Sequence, residues 1–146
     1  MFRGRHSHTL DNKGRVSIPA AFRMELQRRS EKAPVLTNDT DCLALYPHDQ
    51  WEHIEADLLD NPQMHPDVET LWRFMEGEAV DAAPDSQGRI LIPAHLREHA
   101  GLKTKVVIVG VGPRIEIWDQ TAYQAHRETT VRRLPDIKAS VARLKN

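Results

Sequence analysis

At 146 residues, 40% hydrophobic and 28% charged, the chain can bury one ordinary core or two small ones and has a soluble globular composition. Its longest apolar run, Val106 to Val109, is far too short to cross a bilayer, and Met1 to Asp11 holds no apolar run of the kind a secretory signal needs. One cysteine, Cys42, cannot form an internal disulfide and fits a reducing compartment, so the cytoplasm is the expected location.

Net charge is −1, but it is unevenly spread. Residues 1–33 carry eight Lys/Arg against three Asp/Glu, residues 34–85 one against thirteen, and residues 86–146 eleven against five. A single positive face fed by both basic segments would give this pattern. So would a solvated surface that is merely uneven, and charge alone does not separate the two.

In chain order, His8-Thr9-Leu10 is predicted to be a strand entering the turn Asp11-Asn12-Lys13-Gly14. The Asp carboxylate can accept a nearby backbone N–H, and Gly tolerates positive φ. Arg15-Val16-Ser17-Ile18 then alternates polar and apolar, as a half-buried strand does. Pro19 ends it and suits the first position of a helix predicted from Ala20 to about Arg29, with Phe22 and Leu26 one turn apart on its buried side. Val35-Leu36-Thr37 and Cys42 to Tyr46 read as a strand pair joined by a polar turn. Asp49 is expected to cap a helix carrying Trp51, Ile54 and Leu58, which Asn61-Pro62 should break. Val68, Leu71, Trp72 and Met75 mark a further helix.

The turn then recurs 74 residues later as Asp85-Ser86-Gln87-Gly88-Arg89-Ile90-Leu91-Ile92-Pro93-Ala94, with Arg97 in the place of Arg23. A helix from Ala94 to Ala100 should end at Gly101, and Val106 to Val109 with Arg114 to Trp118 form the second strand pair. Asp119 should cap a helix as Asp49 does; here the offset is about 72, placing Tyr123 opposite Trp51. The whole unit of strands and helix is therefore duplicated. Each unit is too small to bury its own apolar face, so the halves are expected to pack as a pseudo-dimer within one chain. From Arg127 onward the chain is basic, with Ile137, Val141 and Leu144 at helical spacing after Pro135. An interaction tail and a frayed terminus both fit this segment.

Met1-Phe2-Arg3-Gly4, Leu10 to Arg15, Pro19 with Arg23, and the second copy through His99-Ala100-Gly101-Leu102 to Glu116-Ile117-Trp118 resemble the MraZ family over nearly the whole chain. That family belongs to the SpoVT/AbrB-like superfamily of swapped-hairpin DNA-binding proteins. The resemblance implies an α+β fold: two tandem AbrB-like swapped-hairpin repeats packed as a pseudo-dimeric, β-barrel-like core with flanking short helices. Residues 1–75 would be the first repeat with its helices, 76–126 the second, and 127–146 a basic helical C-terminal tail. It further implies a cytoplasmic, nucleoid-associated regulator of the division and cell-wall gene cluster. The partner would be double-stranded DNA with repeated promoter elements, bound by a homo-oligomeric ring, with no membrane, small-molecule substrate, cofactor or metal.

Within each turn the Asp stands four residues before the Arg and can hold the guanidinium by a charge-assisted hydrogen bond. A guanidinium so fixed can read guanine O6 and N7 or clamp a phosphate, where an ordinary surface ion pair would do neither. The expected DNA-binding residues are Arg15, Arg89, Lys13, Asp11 and Asp85, with Arg3 and Arg5 as further backbone contacts. Lys13 has Gln87 as its counterpart, so the two turns should not bind equally. Arg23 and Arg97 fit a structural role as well as a DNA-facing one.

His95-Leu96-Arg97-Glu98-His99 matches the H-x-x-E-H pattern of inverted zinc proteases. The segment is instead the repeat's short helix, and the first copy has Ala21 and Glu25 at the histidine places. The three tryptophans and Cys42 are expected in the core. No enzyme is expected. One rival to the regulator is an AbrB-like antitoxin-type interaction protein whose acidic middle block binds a basic partner protein. The other is a hydrolase using His95 and His99.

Overall fold

The computed structural model describes residues 1–60 and 65–145, so the expected helix break at Asn61-Pro62 lies outside the described residues. The described chain is α+β, with a six-stranded antiparallel sheet, a two-stranded ribbon and five helices. The first repeat contributes β1 (Phe2–Thr9), β2 (Arg15–Ser17), α1 (Ala20–Arg29), β3 (Val35–Asn38), β4 (Leu43–Tyr46) and α2 (His48–Leu59). After α3 (Pro66–Glu78), the second contributes β5 (Val80–Asp81), β6 (Arg89–Leu91), α4 (Ala94–Ala100), β7 (Lys105–Gly112), β8 (Arg114–Asp119) and α5 (Gln120–Arg143).

The sheet order is β1-β7-β8-β4-β3-β5. Each repeat keeps its own hairpin, β3–β4 or β7–β8, and lends its first strand to the hairpin of the other. The hairpins meet where β4 pairs β8, and the ribbon is one strand from each repeat, β2 against β6. The pairing pattern is therefore two-fold about the β4–β8 and β2–β6 contacts. Cross-repeat hydrogen bonds repeat the symmetry: the Ile18 amide donates to the Gly88 carbonyl (2.9 Å) and the Ile92 amide to the Gly14 carbonyl (2.8 Å).

Strand alternation sorts the core into two faces. On one face Leu36, Leu43, Leu45, Val106, Ile108, Ile115 and Ile117 pack with Val16, Ile18, Ile90 and Ile92 of the ribbon and its flanks. Phe22 and Leu26 of α1 and Leu96 of α4 complete this layer. The other face is covered by α2 and α3 over Val35, Ala44 and Tyr46, and by α5 over Val107 and Trp118. The symmetry extends to the aromatic pairs with the types exchanged: Tyr46 lies against Trp51 and Trp118 against Tyr123, ring centres 5.4 and 5.7 Å apart.

Several expectations are met in detail. α1 and α4 begin after Pro19 and Pro93, Gly101 closes α4 in the left-handed region, and the Asp119 carboxylate accepts the Ala122 amide (3.3 Å). Trp51, Trp118 and Cys42 are buried, and burial pushes the Cys42 thiol pKa up. Others need correction. Asp49 does not cap α2: the helix starts after Pro47, and Asp49 in its first turn binds Arg29 of α1 instead (2.9 Å). Trp72 is only partly buried. β1 is eight residues long and begins at Phe2, where the sequence pointed only to its end. α5 runs unbroken from Gln120 through Pro135, across the start of the basic segment at Arg127.

α2 and α3 meet through two carboxyl groups, and burial, followed by the hydrogen bond and repulsion from Glu55, pushes the Glu76 carboxyl up to about 7. A raised carboxyl stabilises the fold fully below its free value and loses that contribution as pH rises through 7. Wild-type melting temperature should therefore fall more steeply between pH 5 and 8 than that of Glu76→Gln. Superimposable profiles would show that the pair carries no such linkage.

Candidate nucleic-acid interface

The two turns close alike. In the first, the Asp11 carbonyl accepts the Gly14 amide (3.1 Å) and the Asp11 amide donates to the Arg15 carbonyl (2.9 Å). One carboxylate oxygen of Asp11 accepts the Lys13 and Arg15 amides (2.9 and 2.8 Å), and the other accepts Arg15 Nε (2.8 Å). In the second, Asp85 accepts the Gln87 and Arg89 amides (2.8 and 2.9 Å) and Arg89 Nε (3.1 Å). These amide bonds, led by that from the arginine, hold both Asp carboxyls below the usual carboxylate range. Each Asp thus stays ionised and fixes its guanidinium by one edge. Among the described residues neither Nη of Arg15 or Arg89 has a hydrogen-bond partner, so the outer edge of each fork is available.

Gly14 and Gly88 are required at these turns. Their φ angles are +82° and +77°, and a Cβ on Gly14 would collide with the Arg97 guanidinium, one on Gly88 with that of Arg23. Each helix arginine therefore lies over the turn glycine of the other repeat, while donating to its own strand end at Ile18 or Ile92. Arg23 and Arg97 thus have a structural role: they clamp one repeat's turn to the other's helix.

The ribbon places the two turns relative to each other. Arg15 pairs with Leu91 and Ser17 with Arg89, so all four side chains share one face, while Val16 and Ile90 turn into the core. Arg15 and Arg89 are diagonal neighbours on this face, their backbones ~7–8 Å apart. Both are partly exposed, at 31% and 26% of the side chain. The structure thus brings Asp11, Lys13, Arg15, Asp85 and Arg89 together. It does not bring Arg3 and Arg5 to them: these pair with Val111 and Val109 on the opposite sheet face, where Arg5 stacks 5.7 Å from the Tyr123 ring. Ser17 and Leu91 also belong to the outer face, Leu91 at 57% exposure, and were missed although the Arg-x-Ser and Arg-x-Leu alternation carries the signal.

His95 and His99 make no metal pair in the fold. Their Nε2 atoms bond the carbonyls of Glu78 (3.0 Å) and Asp39 (2.6 Å), tying α4 to the end of α3 and to the β3–β4 turn. Asp39, Cys42 and Glu116 do cluster, but Arg114 lies among them, bonded to Glu116 (2.7 Å) and near Asp39 (3.8 Å). Arg114 thus joins the two carboxylates of this cluster in an ion-pair network beside the buried thiol.

Fold and site together define a class: a duplicated α+β protein whose repeats exchange strands and present two matched arginine turns on one ribbon. The MraZ family model, described as "MraZ protein, putative antitoxin-like", matches the chain twice, over residues 1–74 and 75–144. The chain belongs to the MraZ family. A protein named transcriptional regulator MraZ from Caldanaerobacter subterraneus is 43% identical over 131 residues, 89% of each chain. Its namesakes from Thioalkalivibrio sulfidiphilus and Coxiella burnetii are 42% and 41% identical, over 88% of this chain and 86% of theirs. These relatives are named as regulators, not as enzymes. Among the described residues no helix is long and apolar enough to cross a membrane.

Proposed function

We propose that this protein is a sequence-specific DNA-binding transcriptional regulator that lays the β2–β6 ribbon in the major groove. The observation that carries the reading is the pair of Asp-held arginines on one outward face of a two-stranded ribbon. A major groove about 12 Å wide admits such a ribbon, and a guanidinium fork matches guanine O6 and N7. Leu91, exposed between the arginines, offers apolar contact to a thymine methyl. The exchange of β1 and β5 between the repeats supports reading the core as the swapped-hairpin, barrel-like arrangement that the family resemblance implies.

One protomer offers few base-reading side chains, so useful affinity needs several protomers on repeated promoter elements, as in a closed ring. The targets would be promoter elements of the division and cell-wall gene cluster. Affinity is expected to climb steeply as a DNA fragment carries one, two and three elements at native spacing, measured by fluorescence anisotropy. Equal affinity for all three fragments would overturn the multivalent reading.

The turns should contribute unequally, because Lys13 adds a phosphate contact that Gln87 cannot. Lys13→Gln is expected to reduce the slope of log affinity against log salt by ~0.9 per bound protomer, whereas Gln87→Lys should increase it similarly. An unchanged slope in Lys13→Gln would remove that residue from the interface.

A further inference from the structure

We propose that Arg23 and Arg97 are positioning residues for base reading and act across the repeats, Arg97 aiming Arg15 and Arg23 aiming Arg89. This rests on the DNA-reading role proposed above for the two turns. Each turn is closed from within as one body. Asp11 holds the Gly14, Lys13 and Arg15 amides and Arg15 Nε, and Asp85 does the same for Gly88, Gln87 and Arg89. An Asp can therefore fix its arginine relative to the turn, but not the turn relative to the opposite strand. That second orientation comes from the other repeat. The Gly14 carbonyl accepts the Ile92 amide and the Leu10 amide donates to the Thr104 carbonyl (2.8 Å each), while the Gly88 carbonyl accepts the Ile18 amide (2.9 Å).

The helix arginines complete each bracket. Arg23 and Arg97 lie in the first turns of α1 and α4, where their amides bond the Pro19 and Pro93 carbonyls (3.0 Å each). Helical side chains lean towards the N-terminus, which carries both guanidiniums back to the strand ends. There Nη1 donates to the Ile18 or Ile92 carbonyl. Ile92 thus accepts from Arg97 of its own repeat and donates to Gly14 of the other, and Arg97 Nη1 and Cζ lie against the space a Gly14 Cβ would take. Ile18 is placed likewise between Arg23 and Gly88, with Arg23 Nη1, Cζ and Nε against the glycine. A planar, weakly hydrated guanidinium can lie on a peptide and still donate at its edge, which an ammonium cannot. Gly14 and Gly88 immediately precede Arg15 and Arg89, so a tilt there swings the reading fork directly. Removing Arg97 should therefore loosen Arg15, although the two belong to different repeats, and leave Arg89 aimed.

The test is a set of double-mutant cycles on the full chain. Fluorescence anisotropy reads the ratio of affinities for DNA from upstream of the gene and for scrambled DNA of equal length. Arg97→Gln and Arg23→Gln should each lower that ratio several-fold. In an Arg15→Ala background Arg97→Gln should cost nothing further, whereas in Arg89→Ala it should keep its full effect; Arg23→Gln should show the mirror pattern. Losses that add in both backgrounds, or that couple within a repeat, would overturn the cross-repeat assignment while base reading by Arg15 and Arg89 stands. A wild type that does not separate the two DNAs would overturn both. The slope of log affinity against log salt should be unchanged in the glutamine variants, and a fall of ~0.9 per bound protomer would make the residue a phosphate contact instead. Arg23→Lys and Arg97→Lys keep the charge and one donor to the strand end, so they serve where a glutamine variant fails to fold. They should reproduce the same cycles. Lysine variants equal to wild type would show that charge rather than the planar clamp matters, and the proposal would fall.

Discussion

Replacing Arg15 and Arg89 together with alanine should cut affinity for the specific DNA by roughly 30-fold to 10⁴-fold, while affinity for scrambled DNA falls only a few-fold. The range follows from about 1–3 kcal/mol per bidentate base contact, lost twice. Stability should hardly change, because each Asp keeps its backbone amide donors and neither arginine fills the core. Arg→Lys at both positions sharpens the test. Lysine keeps the charge but lacks the fork that Asp11 and Asp85 hold in place. The double lysine variant should therefore retain non-specific binding and lose discrimination nearly as completely as alanine. A double alanine variant that still separates specific from scrambled DNA would place base reading elsewhere.

Ile90→Ala should produce the largest loss of stability, about 2–5 kcal/mol from lost burial and the cavity left behind. Ile90 is fully buried opposite Val16 at the centre of the ribbon, against the packed face of the six-stranded sheet. For a chain of this size the melting temperature should drop by roughly 5–20 °C. The form of the transition is as informative as its position. β1 belongs to the second repeat's hairpin, β5 to the first, and the ribbon to both, so neither repeat has a closed core alone. A single transition should shift as a whole. Two transitions with only one displaced would mean that the repeats fold independently.

The turns were legible because their physics is local. Asp accepts nearby amides, Gly takes positive φ, and Arg follows at a fixed spacing, so short motifs placed Asp11, Arg15, Asp85 and Arg89 correctly relative to each other. α1 and α4 were bounded for the same reason by Pro19, Pro93 and Gly101. What escaped depends on partners distant in sequence. The run Arg3-Gly4-Arg5-His6-Ser7 has no strand pattern of its own; it is extended because β7 offers it an open edge. The duplication said that the halves pack together, but nothing local says that Gly14 would bond Ile92 or that Arg97 would cover Gly14. Arg3 and Arg5 lie near the turn in sequence, yet strand alternation sends them to the other face of the sheet. Asp49 looked like a cap by type and place, but Arg29, twenty residues away, engages its carboxylate.

The most direct measurement is a salt titration of wild-type protein on DNA from upstream of its own gene, with a scrambled fragment of equal length beside it. Tighter binding to the upstream fragment at every salt concentration, with a steep slope on both fragments, is the expected result. Equal and weak binding to the two fragments would contradict it, leaving the paired arginine turns as ordinary surface.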